Sequence, residues 1–139
     1  QRSLLDIGIT VSIEVMPSSS LKTAKANGKL DVFRASWVAD YPDAQNYLSL
    51  FYSENFTPNG PNYTHFKNAT FDSIYNKAMS ESNVDKRINL YKKMDQIVLE
   101  EAPVVVLFYD EVLRFTQKNI KGLGINPTNL LELKNVQKN

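Results

Sequence analysis

Asp31-Val32-Phe33-Arg34-Ala35-Ser36-Trp37-Val38-Ala39-Asp40-Tyr41-Pro42-Asp43 reads as a strand, Asp31 to Trp37, that runs out into an acidic and aromatic loop. Pro42 biases Tyr41 away from helical backbone, and Asp43 is placed to cap a helix carrying Tyr47, Leu48 and Phe51. The two aspartates therefore stand on a strand-to-helix loop.

Upstream, Ile9, Val11, Ile13 and Val15 alternate with Thr10, Ser12 and Glu14. A period of two is that of a strand with one buried and one polar face, and it predicts a strand over 9–15. Pro17 and the serines at 18–20 offer helix-start chemistry for a short helix through Leu21, Ala24 and Lys25, which Gly28 stops. Strand, helix and strand make a βαβ unit, whose two strands should be parallel with a right-handed crossover. The expected class is α/β, a partly parallel sheet flanked by helices. The opening, Gln1-Arg2-Ser3-Leu4-Leu5-Asp6-Ile7-Gly8, reads as the last turns of a helix closed by glycine, so the chain is expected to continue upstream.

Downstream, residues 53–68 hold turn formers with aromatics between them, including Pro58-Asn59-Gly60-Pro61-Asn62, in a loop too long for a simple connector. Phe71, Ile74, Tyr75, Ala78 and Met79 repeat with helical spacing over 69–81. Ser82-Asn83-Val84-Asp85 resembles a capping box, and Ile88, Tyr91, Met94, Ile97 and Val98 form a stripe on a longer helix ending near Ala102, before Pro103. Val104 to Tyr109 is a continuous apolar run of strand formers, and Val112 to Thr116 continues as an alternating strand. From Gly122 the pattern breaks, with Leu130, Leu131, Leu133 and Val136 in an irregular tail.

Composition narrows the function classes. Sixteen basic residues face fifteen acidic ones among 139, so no strong field exists to draw nucleic acid or anionic lipid. Cysteine is absent, which excludes disulfides, thiol nucleophiles and thiolate metal sites. No apolar run approaches the roughly 20 residues that span a bilayer. His65 is the single histidine, leaving no histidine pair for zinc, and no serine stands in a recognisable nucleophile motif. An enzyme is thus the least favoured class, and no cofactor is expected.

The string from Ser36 to Ala44 resembles that of the bacterial extracellular solute-binding receptors of peptide and nickel ABC importers. The resemblance continues in order through Tyr47-Leu48, the asparagine-rich loop, Phe71-Asp72, Arg87-Ile88-Asn89-Leu90-Tyr91, Glu101-Ala102-Pro103 leading into Val104 to Tyr109, and Ile120-Lys121-Gly122. It implies a lobe of a two-lobed Venus-flytrap fold, with 1–125 as the ligand-binding second lobe and 126–139 as a tail returning to the first. It also implies a substrate-binding component that delivers peptides to a membrane permease, in the periplasm or anchored outside the cell as a lipoprotein. Receptors for another solute, such as a nickel chelate or an oligosaccharide, and a cell-surface adhesion module are the alternatives. Apolar surface left without its lobe partner would favour self-association.

Asp40 is the leading site residue: a carboxylate beside Trp37 suits a ligand ammonium in a desolvated cleft. In the resembling peptide receptors the matching aspartate holds the peptide's α-amino group. The plain alternative is a turn cap before Pro42. Trp37 offers a flat apolar wall, although a lone tryptophan at a strand end is more often core. Ser36, Val38 and Ala39 would act through main-chain groups toward an extended peptide. Asp43 with Asp40 and Asn46 makes a loose oxygen cluster lacking the glycine and glutamate of a calcium loop, so capping is expected of Asp43. His65 is expected to be a solvated loop residue, and Lys86, Arg87, Lys92 and Lys93 a solvated helix face. Three glycosylation-like triplets, at Asn55, Asn62 and Asn68, are discounted as chance matches in an asparagine-rich loop.

Overall fold

The computed structural model describes residues 1–139, which divide into two compact units, Gln1–Phe33 and Arg34–Asn139. In the first unit, helix α1 (Arg2–Leu5) closes as the sequence predicts: Gly8 takes φ +82°, its N–H donates to Leu5, and the Ile9 N–H donates to Leu4. Glycine enters this left-handed region without the strain a Cβ would add. Helix α2 (Ser18–Ala26) starts on Pro17, and none of the serines caps it through its side chain. Lys25 Nζ lies 5.6 Å from the centre of the Phe33 ring, within reach of the ring's negative face.

The second unit is organised on two helices. Asn68 caps α4 (Ala69–Ser80) by accepting from the Thr70 and Phe71 N–H groups, and Asn83 caps α5 (Val84–Glu101) by accepting from the Lys86 N–H. The cap of α5 is therefore Asn83 rather than Ser82, with Glu81 accepting from the Asn83 N–H. Ala102 turns left-handed at φ 48° and ends α5 before Pro103. Asn68 at the start of α4 reaches Glu101 at the end of α5, so the helices run antiparallel.

Between them lies the core: Phe71, Tyr75 and Ala78 from α4, Tyr91, Met94 and Val98 from α5, and Leu48 from the short helix α3 (Gln45–Leu48). Phe71 and Met94 are fully buried, and each contributes about 1.5–3 kcal/mol relative to an exposed side chain. Phe51 and Phe66 meet Phe71 edge-on, at 6.4 Å and 5.8 Å between ring centres. Two single 3₁₀ turns, Ser49–Phe51 and Ser53–Asn55, follow α3, and Asp72 holds the second by accepting from the Ser53 N–H and hydroxyl.

The long loop is closed on itself. Asn62 is fully buried, donates through Nδ2 to the carbonyls of Tyr52 and Phe66, and accepts from the Thr64 hydroxyl. Gly60 passes so near Asn55 that a Cβ would lie 2.5 Å from its carbonyl oxygen, which leaves no room for another residue.

The sheet departs from expectation. Neither 9–15 nor 31–37 belongs to a ladder, and the apolar runs 104–109 and 112–116 are likewise unpaired. The sheet present is antiparallel, β1 (Ile120–Lys121) with β2 (Gln137–Lys138), Ile120 opposite Lys138 and Lys121 opposite Gln137. Alternation and β-branching specify a face and an extended backbone, whereas a ladder also requires a neighbouring strand, which these segments do not have here. Most of their side chains stay exposed accordingly, Val15 at 94% and Phe115 at 91%. Arg114 gathers the tail by donating to the carbonyls of Gly124, Asn129 and Leu130 and to Asn129 Oδ1. No helix is long and apolar enough to cross a membrane.

Candidate functional site

The segment 36–44 carries no regular structure and is held from below by α3 and α5. Asp43 Oδ1 accepts from the Gln45 N–H at 2.9 Å, the capping expected of it, and so starts α3. The Gln45 side chain accepts from the Tyr41 hydroxyl and donates to that of Tyr75 on α4. Trp37 Nε1 donates to Asn46 Oδ1 at 2.6 Å, and Asn46 is buried within the first turn of α3. From α5, Arg87 approaches the Asp43 carboxylate at 3.8 Å. Both partners are about one-third exposed, so this pair is worth no more than about 1 kcal/mol.

These contacts pin the loop at Trp37, Tyr41 and Asp43 and leave the stretch between them free. Asp40 is exposed and makes no hydrogen bond or ion pair. Ser36 and Val38 are exposed, Ala39 and Trp37 half-buried, and the backbone N–H and carbonyl groups of 36–39 bond to nothing in the chain. Asp40 thus does not cap a turn, and Trp37 is not core. A free carboxylate between anchored shoulders, beside an unpaired stretch of backbone, can receive a cation and the edge of an extended chain.

Tyr91 on α5 is buried beneath this loop. Burial first, then its hydrogen bond to the Asp43 carboxylate and that group's charge, push the Tyr91 phenol up to about 12 from the ordinary 10.0. The folded chain therefore holds this proton more tightly than the unfolded chain. The stabilisation is complete below pH 10 and is lost as the pH rises from 10 toward 12. An ultraviolet phenolate titration of the wild type should show a late-ionising tyrosine that Tyr91→Phe removes; ionisation of Tyr91 with the exposed tyrosines would contradict the burial and the Asp43 contact.

Some of these roles are not legible in the residue pattern. Asn46, which the sequence groups with Asp40 and Asp43 as loose oxygens, gives its oxygen to Trp37, and no local pattern in Gln45-Asn46-Tyr47-Leu48 announces it. Arg87 is not a purely solvated charge, since it faces Asp43 and donates to the Glu81 carbonyl. His65 is not a solvated loop residue: it is half-buried, edge-on to Phe56 at 5.2 Å between ring centres, with Nε2 3.3 Å from the Thr57 hydroxyl. No group of three or more histidines and carboxylates is placed to hold a metal ion.

Comparison with known proteins adds a context for this geometry. Residues 1–59 match the family model described as bacterial extracellular solute-binding proteins, family 5 Middle. The chain is 29% identical over 121 residues to the periplasmic murein peptide-binding protein MppA of Escherichia coli K12, covering 87% of this chain and 22% of that protein. It is 26% identical over 120 residues to the probable deoxycholate-binding periplasmic protein YgiS of the same strain, covering 86% of this chain and 22% of that one. The solved structure of the E. coli murein tripeptide binding protein MppA matches with a TM-score of 0.82 at 25% identity, over 97% of this chain and 26% of that chain. The likeness is to part of a two-lobed periplasmic binding protein, and this chain spans between 22% and 26% of the length of these relatives.

Proposed function

We propose that this chain, whose residues 1–59 match the family 5 extracellular solute-binding proteins and which resembles periplasmic binding proteins over most of its length, forms part of the ligand-binding lobe of a peptide receptor serving an ABC importer. The supporting observation is the free Asp40 carboxylate on its pinned loop, flanked by the unpaired backbone of 36–39. In this reading Asp40 pairs with the ligand's α-ammonium, Trp37 walls the adjoining side chain, and Ser36, Val38 and Ala39 offer main-chain groups that read no sequence. Residues 1–125 belong to that lobe, and 126–139, tied back to it by β2 and Arg114, form the tail nearest the other.

The role is binding and delivery to a permease in the cell envelope, free in the periplasm or anchored outside the cell, without turnover of the ligand. Two relatives bear names that point to different solutes, a murein peptide and deoxycholate. An unpaired carboxylate favours the ligand with a positive group over the anion.

Calorimetry on the full-length protein tests this directly. Trialanine should bind and N-acetyl-trialanine, which lacks the ammonium, should bind far more weakly. Equal affinity for both would remove the ammonium from the recognition, and binding of deoxycholate alone would replace the peptide reading altogether.

A further inference from the structure

We propose that Asn46 is a positioning residue: its side-chain oxygen sets the indole of Trp37, and through it the backbone leading to Asp40, for ligand contact. This rests on the reading of 36–40 as the contact segment.

Residues 33–39 belong to no ladder and make no backbone hydrogen bonds, so nothing regular fixes where Trp37 stands. Its indole N–H has one partner, Asn46 Oδ1 at 2.6 Å. Asn46 is 4% exposed, and burying an amide is costly unless it is bonded. An apolar residue would otherwise suit this position on a helix whose Leu48 enters the core.

Asn46 is itself held rigidly. Its N–H donates to the Asp43 carbonyl at 3.1 Å and its carbonyl accepts from the Ser49 hydroxyl at 2.8 Å. Helix α3 is fastened by Leu48 in the core and by the Gln45 bond to Tyr75. Position is thus passed from the α4–α5 core to α3, from α3 to Asn46, and from Asn46 to Trp37, three residues before Asp40. A contact segment ordered in advance loses less freedom when it binds.

The test is a double-mutant cycle on the full-length protein, with trialanine affinities from calorimetry. Asn46→Leu should weaken binding roughly tenfold, and Trp37→Phe should weaken it too. Asn46→Leu added to Trp37→Phe should cost nothing more, because Asn46 acts through the indole. In protein labelled with 5-fluorotryptophan, the Trp37 resonance, assigned by its loss in Trp37→Phe, should move in Asn46→Leu. It should return toward its original position in Asn46→Asp, which keeps an oxygen acceptor. Additive losses, or an unmoved Trp37 resonance, would overturn the proposal. If Asn46→Leu fails to fold, Asn46→Ala replaces it in the same cycle. If the wild type binds no peptide, the peptide reading falls, and the Trp37 resonance alone decides whether Asn46 positions the indole.

Discussion

Asp40→Asn in the full-length protein should weaken the binding of a tripeptide with a free amino terminus by about thirtyfold or more, the equivalent of about 2 kcal/mol. The substitution keeps size, removes the charge and turns one acceptor oxygen into a donor amide. Asp40 has no partner within the chain, so no intramolecular bond is lost and the melting temperature should not change. The cost arises when the cleft closes and the ligand ammonium leaves water without a counter-charge. An N-acetylated tripeptide should bind wild type and variant alike, which separates the charge from any effect on loop shape. Asp43→Asn is the informative contrast. Asp43 starts α3 and faces Arg87, so its loss should lower stability and treat both ligands equally. If the two aspartates behave the same way, Asp40 is no more than part of the loop.

What the residue pattern conveys differs between the helices and the strands. Helices α4 and α5 are legible because both the hydrogen bonds and the apolar stripe are local. Phe71, Tyr75 and Ala78 follow the 3.6-residue period and are buried, as are Tyr91, Met94 and Val98, while Ile88 at the start of the stripe is 42% exposed. Strands are different in kind, since half of their hydrogen bonding belongs to another segment. The alternation in 9–15 and the apolar run 104–109 announce a face and do not identify a neighbour, so the parallel pairing inferred from a βαβ pattern is not found.

Likeness to the solute-binding receptors is carried by the order of short motifs from Ser36 to Gly122, each weak by itself, and the comparisons find the same likeness to periplasmic binding proteins. The site lies between these cases. Asp40 and Trp37 are visible as a pair of residue types suited to an ammonium. The Asn46 amide, the Gln45 bridge and the Arg87 approach depend on how α3 sits on α4 and α5. That docking follows from side-chain packing across 30 or more residues of sequence, as Gln45 to Tyr75 shows, and no local pattern encodes it.

Phe71→Ala should be the most damaging single change to the second unit, costing about 3–5 kcal/mol of stability. The side chain is fully buried and lies where three elements converge: Tyr75 of its own helix, Phe51 of the 3₁₀ turn before the long loop, and Phe66 near the end of that loop. Removing the ring leaves a cavity among aromatic neighbours whose backbones are fixed by other bonds, Phe66 through the hold of Asn62 on its carbonyl and Phe51 through the 3₁₀ turn after α3. The site therefore collapses only partly, and the cavity term adds to the lost transfer energy. Domains are commonly stable by only about 5–15 kcal/mol, and the core holds seven buried apolar side chains, so a loss of this size removes much of the margin. Met79 on the same helix is 45% exposed, and Met79→Ala should remain within about 0.5 kcal/mol of wild type. Urea unfolding of the full-length proteins, followed by far-ultraviolet circular dichroism, should separate the two midpoints widely. Midpoints that coincide would mean that the aromatic cluster does not hold α4 to the loop, and the pinned geometry of Trp37 and Asp40 would lose its foundation.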